Sequence, residues 1–301
     1  MRPTPSSVRG FTLVELVVSI TLLAILATAA VPMLRLPMSA YMDAALRSDL
    51  RSEMDTAAAK LRDDLAQAMP NSVRVQQVGG RWYLEYLQVR AYGRYRSGPA
   101  PGLQSCPATC SVPLNNDVLE FACSESCFTT LGPLQGSAPV AGADYVVVNP
   151  LGPGVPGGDP YAGGATTPPG SVKTRLQGVA AVGSDSRITI APYQFATPSA
   201  SRQFYIVAMP VTYECNPATQ RLTRYWGYSI AAVQPAAFGA AVNNAPLATV
   251  VSTCRFAYTP TGALGRGGVV SMWLRFTRQS TGMGFSESVE SLAEFSVKEP
   301  A

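Results

Sequence analysis

The most reactive side chains in this 301-residue chain are six cysteines: Cys106, Cys110, Cys123, Cys127, Cys215 and Cys254. The first four read C-x3-C…C-x3-C, a spacing that a structural zinc site tolerates. In an exported chain the same even count reads as a disulfide set, because thiols oxidise outside the cytoplasm. The N-terminal segment predicts export, so disulfides are expected and no metal site. Cys215 and Cys254 stand apart from the others, at the ends of two strand candidates, and are predicted to pair with each other. The other four allow three connectivities. These include a bond within each C-x3-C loop, or the nested set Cys110–Cys123 with Cys106–Cys127.

Catalytic constellations are absent from the sequence. Without a single histidine the chain lacks the commonest general base, the usual serine triad and the commonest metal ligand. Enzymes built on carboxylates, Lys or Tyr are not excluded by this. "GALGRGG" lacks the lysine-serine/threonine ending of a phosphate loop, and no G-x-S-x-G elbow occurs. Asp63 and Asp64 are adjacent on a predicted helix, so their side chains diverge and read as solvated. Too few acids surround Asp159 for a calcium loop. The expectation is a non-enzyme without a cofactor. Net charge is +4, and two of the 23 basic residues, Arg2 and Arg9, precede an apolar run. The remainder is too nearly balanced to suggest a nucleic-acid partner.

One acid stands out. Glu15 adjoins Leu16–Leu34, LVVSITLLAILATAAVPML, which is 19 residues without a charge. At about 1.5 Å per residue this run spans a hydrocarbon core of about 30 Å. Arg2 and Arg9 on its N-terminal side predict a cytoplasmic N-terminus and an exported remainder. A secretory signal cut near Ala27-Thr28-Ala29 is one reading. The other is a cut before the run, which leaves a permanent helix. The run exceeds the ~7–15 residues of a signal core, and a signal core avoids a charge such as Glu15. The helical pattern also continues beyond Ala29.

Gly10-Phe11-Thr12-Leu13-Val14-Glu15-Leu16, after a short basic leader, resembles the type IV prepilin signature. The resemblance implies cleavage by prepilin peptidase after Gly10 and methylation of the new amine on Phe11. It makes Glu15 the assembly residue, pairing with the N-terminal amine of a neighbouring subunit. A desolvated pair costs far less than either charge alone. The implied partners are other major and minor pilin-like subunits, prepilin peptidase, inner-membrane lipid and, indirectly, an assembly platform and ATPase. The implied location is the inner membrane, single-pass with a periplasmic C-terminal domain, and later a pilus fibre.

These residues need a long helix to carry them. Pro32 and Pro37 can kink it or end it. Beyond them Leu46, Leu50, Met54, Ala57, Leu61, Leu65 and Ala68 recur at helical spacing among charged residues. Met69-Pro70-Asn71 ends the pattern. The rest reads as strands: 72–78 and 81–90 as a hairpin over Gly79-Gly80, then 118–123, 145–149, 187–191, 203–214, 221–230, 250–258, 269–277 and 287–297. Pro210 suggests an edge strand or a bulge. The aromatic residues Tyr213, Tyr225, Trp226 and Tyr228 read as sheet packing. "PLGPGVPGGDPYAGGATTPPG" reads as a surface loop. The expected fold is α+β: a long N-terminal helix, its first half membrane-spanning, packed on an antiparallel β-sheet domain, which is also the pilin plan. The expected divisions are a leader (1–10), an assembly helix (11–36), an amphipathic half-helix (37–69) and a β-rich domain (70–301).

"RQFYIVAMPVTYECNPATQRLTRYWGYSI" and "VVSTCRFAYTPTGALGRGGVVSMWLRFT" further resemble minor pilin-like proteins of the MSHA pilus biogenesis system. "DYVVVNPLGPG" adds to the likeness. A J-type minor pseudopilin of type II secretion shares the N-terminal signature and is an alternative. A secreted enzyme or binding protein with an ordinary signal peptide is an alternative of another class.

Overall fold

A computed structural model describes residues 10–96, 118–163, 172–261, 267–279 and 286–298, without the side chains of residues 29, 31, 32 and 34–39. Helix α1 spans Leu13–Leu65. Thr12 caps it in extended conformation, and its hydroxyl accepts the Glu15 amide at 3.3 Å. That satisfies one of the orphan N–H groups at a helix start. The helix continues through Pro32 and Pro37, so neither proline terminates it. Leu50, Met54, Ala57, Leu61 and Leu65 are buried, as their spacing predicts. The helix ends three residues before the predicted Ala68. There the Met69 amide donates to Leu87 O and the Val89 amide to Gln67 O, each at 2.8 Å. These bonds draw the chain onto a strand and out of helical conformation.

The larger sheet is antiparallel throughout. Its strands are β1 (Arg74–Val78), β2 (Arg81–Arg94), β3 (Glu125–Thr129), β4 (Gln135–Gly136), β5 (Tyr145–Val148), β6 (Lys173–Val182), β7 (Asp185–Tyr193), β8 (Gln203–Asn216), β9 (Arg221–Trp226) and β10 (Asn243–Ala248). The main path runs β1-β2-β8-β5-β6-β7-β3, with β9 also on β8, β10 on β9 and β4 on β2. Gly79 and Gly80 both take positive φ, 57° and 78°. Two such residues make the tight turn that matches strand twist, which closes the β1–β2 hairpin. A second antiparallel sheet contains β11 (Val251–Pro260), β12 (Gly267–Gln279) and β13 (Ser286–Lys298), in that order.

Pro210 occupies a place that tolerates a missing donor. On one side β8 pairs with β5 through Phe204–Val207 and then with β9 through Val211–Asn216. Pro210 falls between the two pairings, and the register of β2 shifts opposite it, between Leu87 and Val89. The bulge expected from the sequence is therefore present.

The stripe of α1 packs into one core with both sheets. Tyr86, Tyr213 and Leu222 come from the first sheet, and Phe256, Leu274 and Phe276 from the second. A disulfide between Cys215 on β8 and Cys254 on β11, with Cα atoms 6.5 Å apart, ties the two sheets together.

Several strand expectations need correction. Residues 118–123 form no strand; pairing begins at Glu125, where β3 meets β7. Strand β6 was not expected, because its sequence KTRLQGVAAV follows a proline-glycine tract and is poor in aromatic residues. Nor was β10, whose NNAPLA reads as a turn. The segment 150–163 is turn and coil as expected, but it is not merely superficial. Tyr161 is fully buried within it.

Candidate assembly segment and its anchors

The predicted processing residues lie at the start of α1. Gly10 is exposed, and a Cβ added there would meet nothing within 4 Å. Phe11 is 74% exposed. Glu15 is exposed in the first helical turn, where a carboxylate interacts favourably with the helix dipole. Around it Leu13, Val14, Leu16, Val17, Ile20, Leu22, Leu23, Ile25 and Leu26 all expose half of their surface or more. Burying each such side chain stabilises by about 1.5–3 kcal/mol relative to leaving it in water. A helix apolar on all sides therefore calls for an apolar environment.

The hydroxyls of this segment fit that environment. Ser19 donates to Glu15 O at 2.7 Å, Thr21 to Val18 O at 2.9 Å and Thr28 to Ile25 O at 2.8 Å. Each hydroxyl is thus satisfied within its own helix, as an apolar medium demands. Among the described residues no helix is long and apolar enough to cross a membrane. Residues 29, 31, 32 and 34 of the predicted span lie outside the described side chains. The span over Leu16–Leu34 consequently rests on the sequence.

The second half of α1 is held to the sheets by polar clamps as well as by its stripe. Arg47 Nε donates to Glu287 on β13 at 2.5 Å. Glu53 accepts the Thr249 amide at 2.8 Å and meets Arg278 of β12 at 3.3 Å. Nearest the end, Asp64 accepts from Lys60 at 2.7 Å, from the Tyr213 hydroxyl at 2.7 Å and from Arg224 Nε at 2.5 Å. Asp64 is only 2% exposed, so the expectation of a solvated residue is wrong. Burial works against its charged form, yet the donors from Lys60, Tyr213 and Arg224 outweigh burial and hold its pKa below the usual value. Its position was legible: after Ala57 and Leu61 the helical period places residue 64 on the buried face.

A second buried polar group fastens the loop 150–163. The Tyr161 hydroxyl donates to Ser72 O at 2.8 Å, and the Arg74 guanidinium lies 3.6 Å from its ring centre. Arg74 also donates to Glu85 at 2.8 Å. Asp159 accepts the amides of Gly154 and Tyr161, which folds the loop onto itself. Lys173, 1% exposed, donates to Pro160 O at 2.9 Å and to Ala162 O at 2.6 Å. Burial pulls its pKa down to about 8. Nothing in the sequence pattern distinguished Tyr161 or Lys173 from ordinary loop and strand residues.

The aromatic quartet is used in packing with polar tips. Tyr213 is buried on Asp64, and Tyr225 stacks on Phe238 at 4.2 Å. Trp226 lies under Arg224, and Tyr228 meets Thr212 at 2.6 Å and Glu85 at 3.2 Å. Cys123 and Cys127 are each disulfide-bonded. Cys106 and Cys110 lie outside the described residues, and with them the choice among connectivities. Among the described residues no cysteine is free, and no group of three or more His, Cys, Asp or Glu is placed to hold a metal ion.

Residues 5–31 match the family described as the prokaryotic N-terminal methylation motif. No curated protein and no solved structure matches the chain. The matched residues contain Gly10, Phe11 and Glu15. This prepilin-type motif supports a pilin-like or pseudopilin protein, and it implies membrane anchoring, contact with other pilin subunits and contact with prepilin peptidase.

Proposed function

We propose that the chain is a minor pilin of an MSHA-type type IV pilus, a structural subunit that helps to initiate or assemble the fibre. Stretches of its C-terminal half, "TYEC", "LTRYWGY", "CRFAY" and "GVVSMWLRF", resemble the pilus biogenesis protein MshO, and this resemblance supports the reading. Prepilin peptidase cuts after Gly10 and methylates Phe11. The segment from Phe11 holds the subunit in the inner membrane, with the β-rich domain in the periplasm. On assembly the helix leaves the bilayer and packs among other pilin-like helices. Glu15 then pairs with a neighbour's N-terminal amine, while a separate platform and ATPase supply the force. The subunit performs no catalysis.

The observation that carries this reading is the methylation motif joined to an exposed helix that is apolar on all sides around Glu15. Mass spectrometry of the mature N-terminus tests it: a methylated Phe11 supports the proposal, and a start near Ala30 refutes it. The type II secretion reading shares these features. Neighbouring genes separate the two, being pilus genes in one case and secretion genes in the other.

A further inference from the structure

The outer strand of a sheet presents a row of backbone N–H and C=O groups that can pair with another chain, and folds commonly blunt or cover it. Most edges of this chain are treated so. Beside β1 runs the segment 231–235, whose carbonyls at Ala231, Ala232, Gln234 and Pro235 accept from Arg74 and Gln76. Beyond β3, Thr130 bridges to Tyr95 and the Leu131 amide donates to Arg94 O at 2.8 Å, which brings that edge back to the end of β2. Strand β10 contains Pro246 and a register shift. Strand β11 is fastened to the larger sheet by Cys254 and by the Val251 amide, which donates to Gln220 O at 3.0 Å.

Strand β13 has no such device. It is 13 residues long, SESVESLAEFSVK, without Gly or Pro. It pairs with β12 from Ser286 to Lys298 without a register shift. Among the described residues its backbone makes no backbone hydrogen bond beyond that ladder. Its charges guard the edge poorly. Glu287 and Glu290 are turned to cations of their own subunit, Arg47 at 2.5 Å and Arg275 at 2.6 Å. The remaining two, Glu294 and Lys298, are of opposite sign.

Two further observations indicate what completes the edge. The inner face of the second sheet is sealed on β12, where Met272, Leu274 and Phe276 are buried, but Val289 and Ala293 on β13 are only half-buried. Apolar side chains from one more strand would cover both. In addition, β13 lies along α1. Arg47 reaches Glu287 near the start of the strand, and the Arg62 guanidinium lies 6.0 Å from the Phe295 ring centre near its end. The same helix begins within the motif that implies contact with other pilin subunits. A subunit packed along α1 is thereby brought beside the open edge.

We infer that β13 receives an added strand from a neighbouring pilin-like subunit, which continues the ladder and tucks alternate apolar side chains beside Val289 and Ala293. The edge itself sets the chemistry of the occupant. Backbone donors and acceptors at the strand repeat call for an extended polypeptide, and pockets for alternate side chains select its sequence. A second copy of β13 fits poorly, because antiparallel pairing about Leu292 sets Glu290 opposite Glu294 twice, and like charges directly opposite are destabilising. The inference rests on the pilin reading, since its occupant is a subunit of that fibre.

The test is photo-crosslinking in fibres assembled by cells and sheared from them. Benzoylphenylalanine replaces Ser288, Leu292 or Ser296 on the exposed row of β13, or Ser271 of β12 as a control one strand inward. The three β13 positions are each four residues apart. They should link to one segment of one neighbouring subunit, at residues about four apart and in a single order, which is the repeat of a ladder. Ser271 should give much less product. Adjacent amides of a strand point to opposite edges, so of Ser291→Pro and Leu292→Pro one cuts a bond to β12 and the other removes only a free-edge donor. The variant that keeps the wild-type melting temperature should lose about fivefold in crosslinking from Ser288 and Ser296, the effect of one hydrogen bond. Links scattered over several segments, links confined to a partner's helix, equal yield from Ser271, or full yield in that proline variant would overturn the inference. Wild-type chain present in the fibres without links from β13 would overturn it and leave the pilin reading intact. Wild-type chain absent from sheared pili would remove both.

Discussion

Arg224 of β9 donates from Nε to Oδ2 of Asp64 across 2.5 Å, joining the larger sheet to the last turn of α1. The guanidinium is 14% exposed and the carboxylate 3%. Such a pair is costly to halve, because the survivor is left charged and buried. Asp64→Ala is expected to destabilise the detergent-solubilised chain by about 3–5 kcal/mol, read from urea unfolding. Lys60→Ala removes the half-exposed partner and should cost less than about 1 kcal/mol. Equal losses in the two variants would mean that Asp64 does not anchor the helix.

The same group gives stability a pH dependence. The folded state holds the Asp64 pKa below its ordinary value, so the unfolded chain takes up its proton first as pH falls. The contribution of Asp64 is complete above the ordinary carboxylate range and is lost as pH drops through the lower folded value. An Asp64→Asn variant should flatten the acid limb of the stability curve. An unchanged acid limb would count against the network.

Lys173 adds a pH dependence of the same sign in the alkaline range. Burial lowers its folded pKa from 10.5 to about 8, so between these values the unfolded chain carries the extra proton. Stability should therefore rise with pH across that window, with a slope of up to about 1.4 kcal/mol per unit. Lys173→Met should abolish the slope. If the variant keeps it, another group is responsible.

Tyr161→Phe deletes only the hydroxyl that donates to Ser72. About 1 kcal/mol of stability should be lost, and limited proteolysis should cut faster within residues 150–163. Cys215→Ser with Cys254→Ser should cost more, about 2–4 kcal/mol, because the bond joins the two sheets that enclose the helix.

What could be read in advance follows from periodicity. The buried stripe Leu50, Met54, Ala57, Leu61 and Leu65 repeats at helical spacing, and the hairpin at Gly79-Gly80 has a turn that only glycine adopts easily. Asp64 lay on that stripe, but its charge made it look solvated. What burial requires is partners, and Tyr213 and Arg224 are about 150 residues away in the chain. Tyr161 and Lys173 were illegible for a similar reason. Their burial depends on how a glycine-rich loop closes over β1 and β6, which no local pattern encodes. Strand β6 was missed because its outward positions are small or polar, and pairing with β5 and β7 supplies what propensity lacks.

Glu15 has a role only if Phe11 becomes a free terminus. Glu15→Ala should leave the β-rich domain folded and abolish incorporation into fibres, measured by subunit content of sheared pili. Fibre incorporation at the wild-type level would remove Glu15 from the assembly mechanism.

The most direct measurement is intact-mass and N-terminal peptide analysis of the chain from cells with and without prepilin peptidase. The account predicts a mature chain that begins at Phe11 and carries one methyl group on its amine. It predicts the uncut leader, through Gly10, when the peptidase is absent. A mature chain that begins near Ala30, or processing that persists without the peptidase, would contradict it.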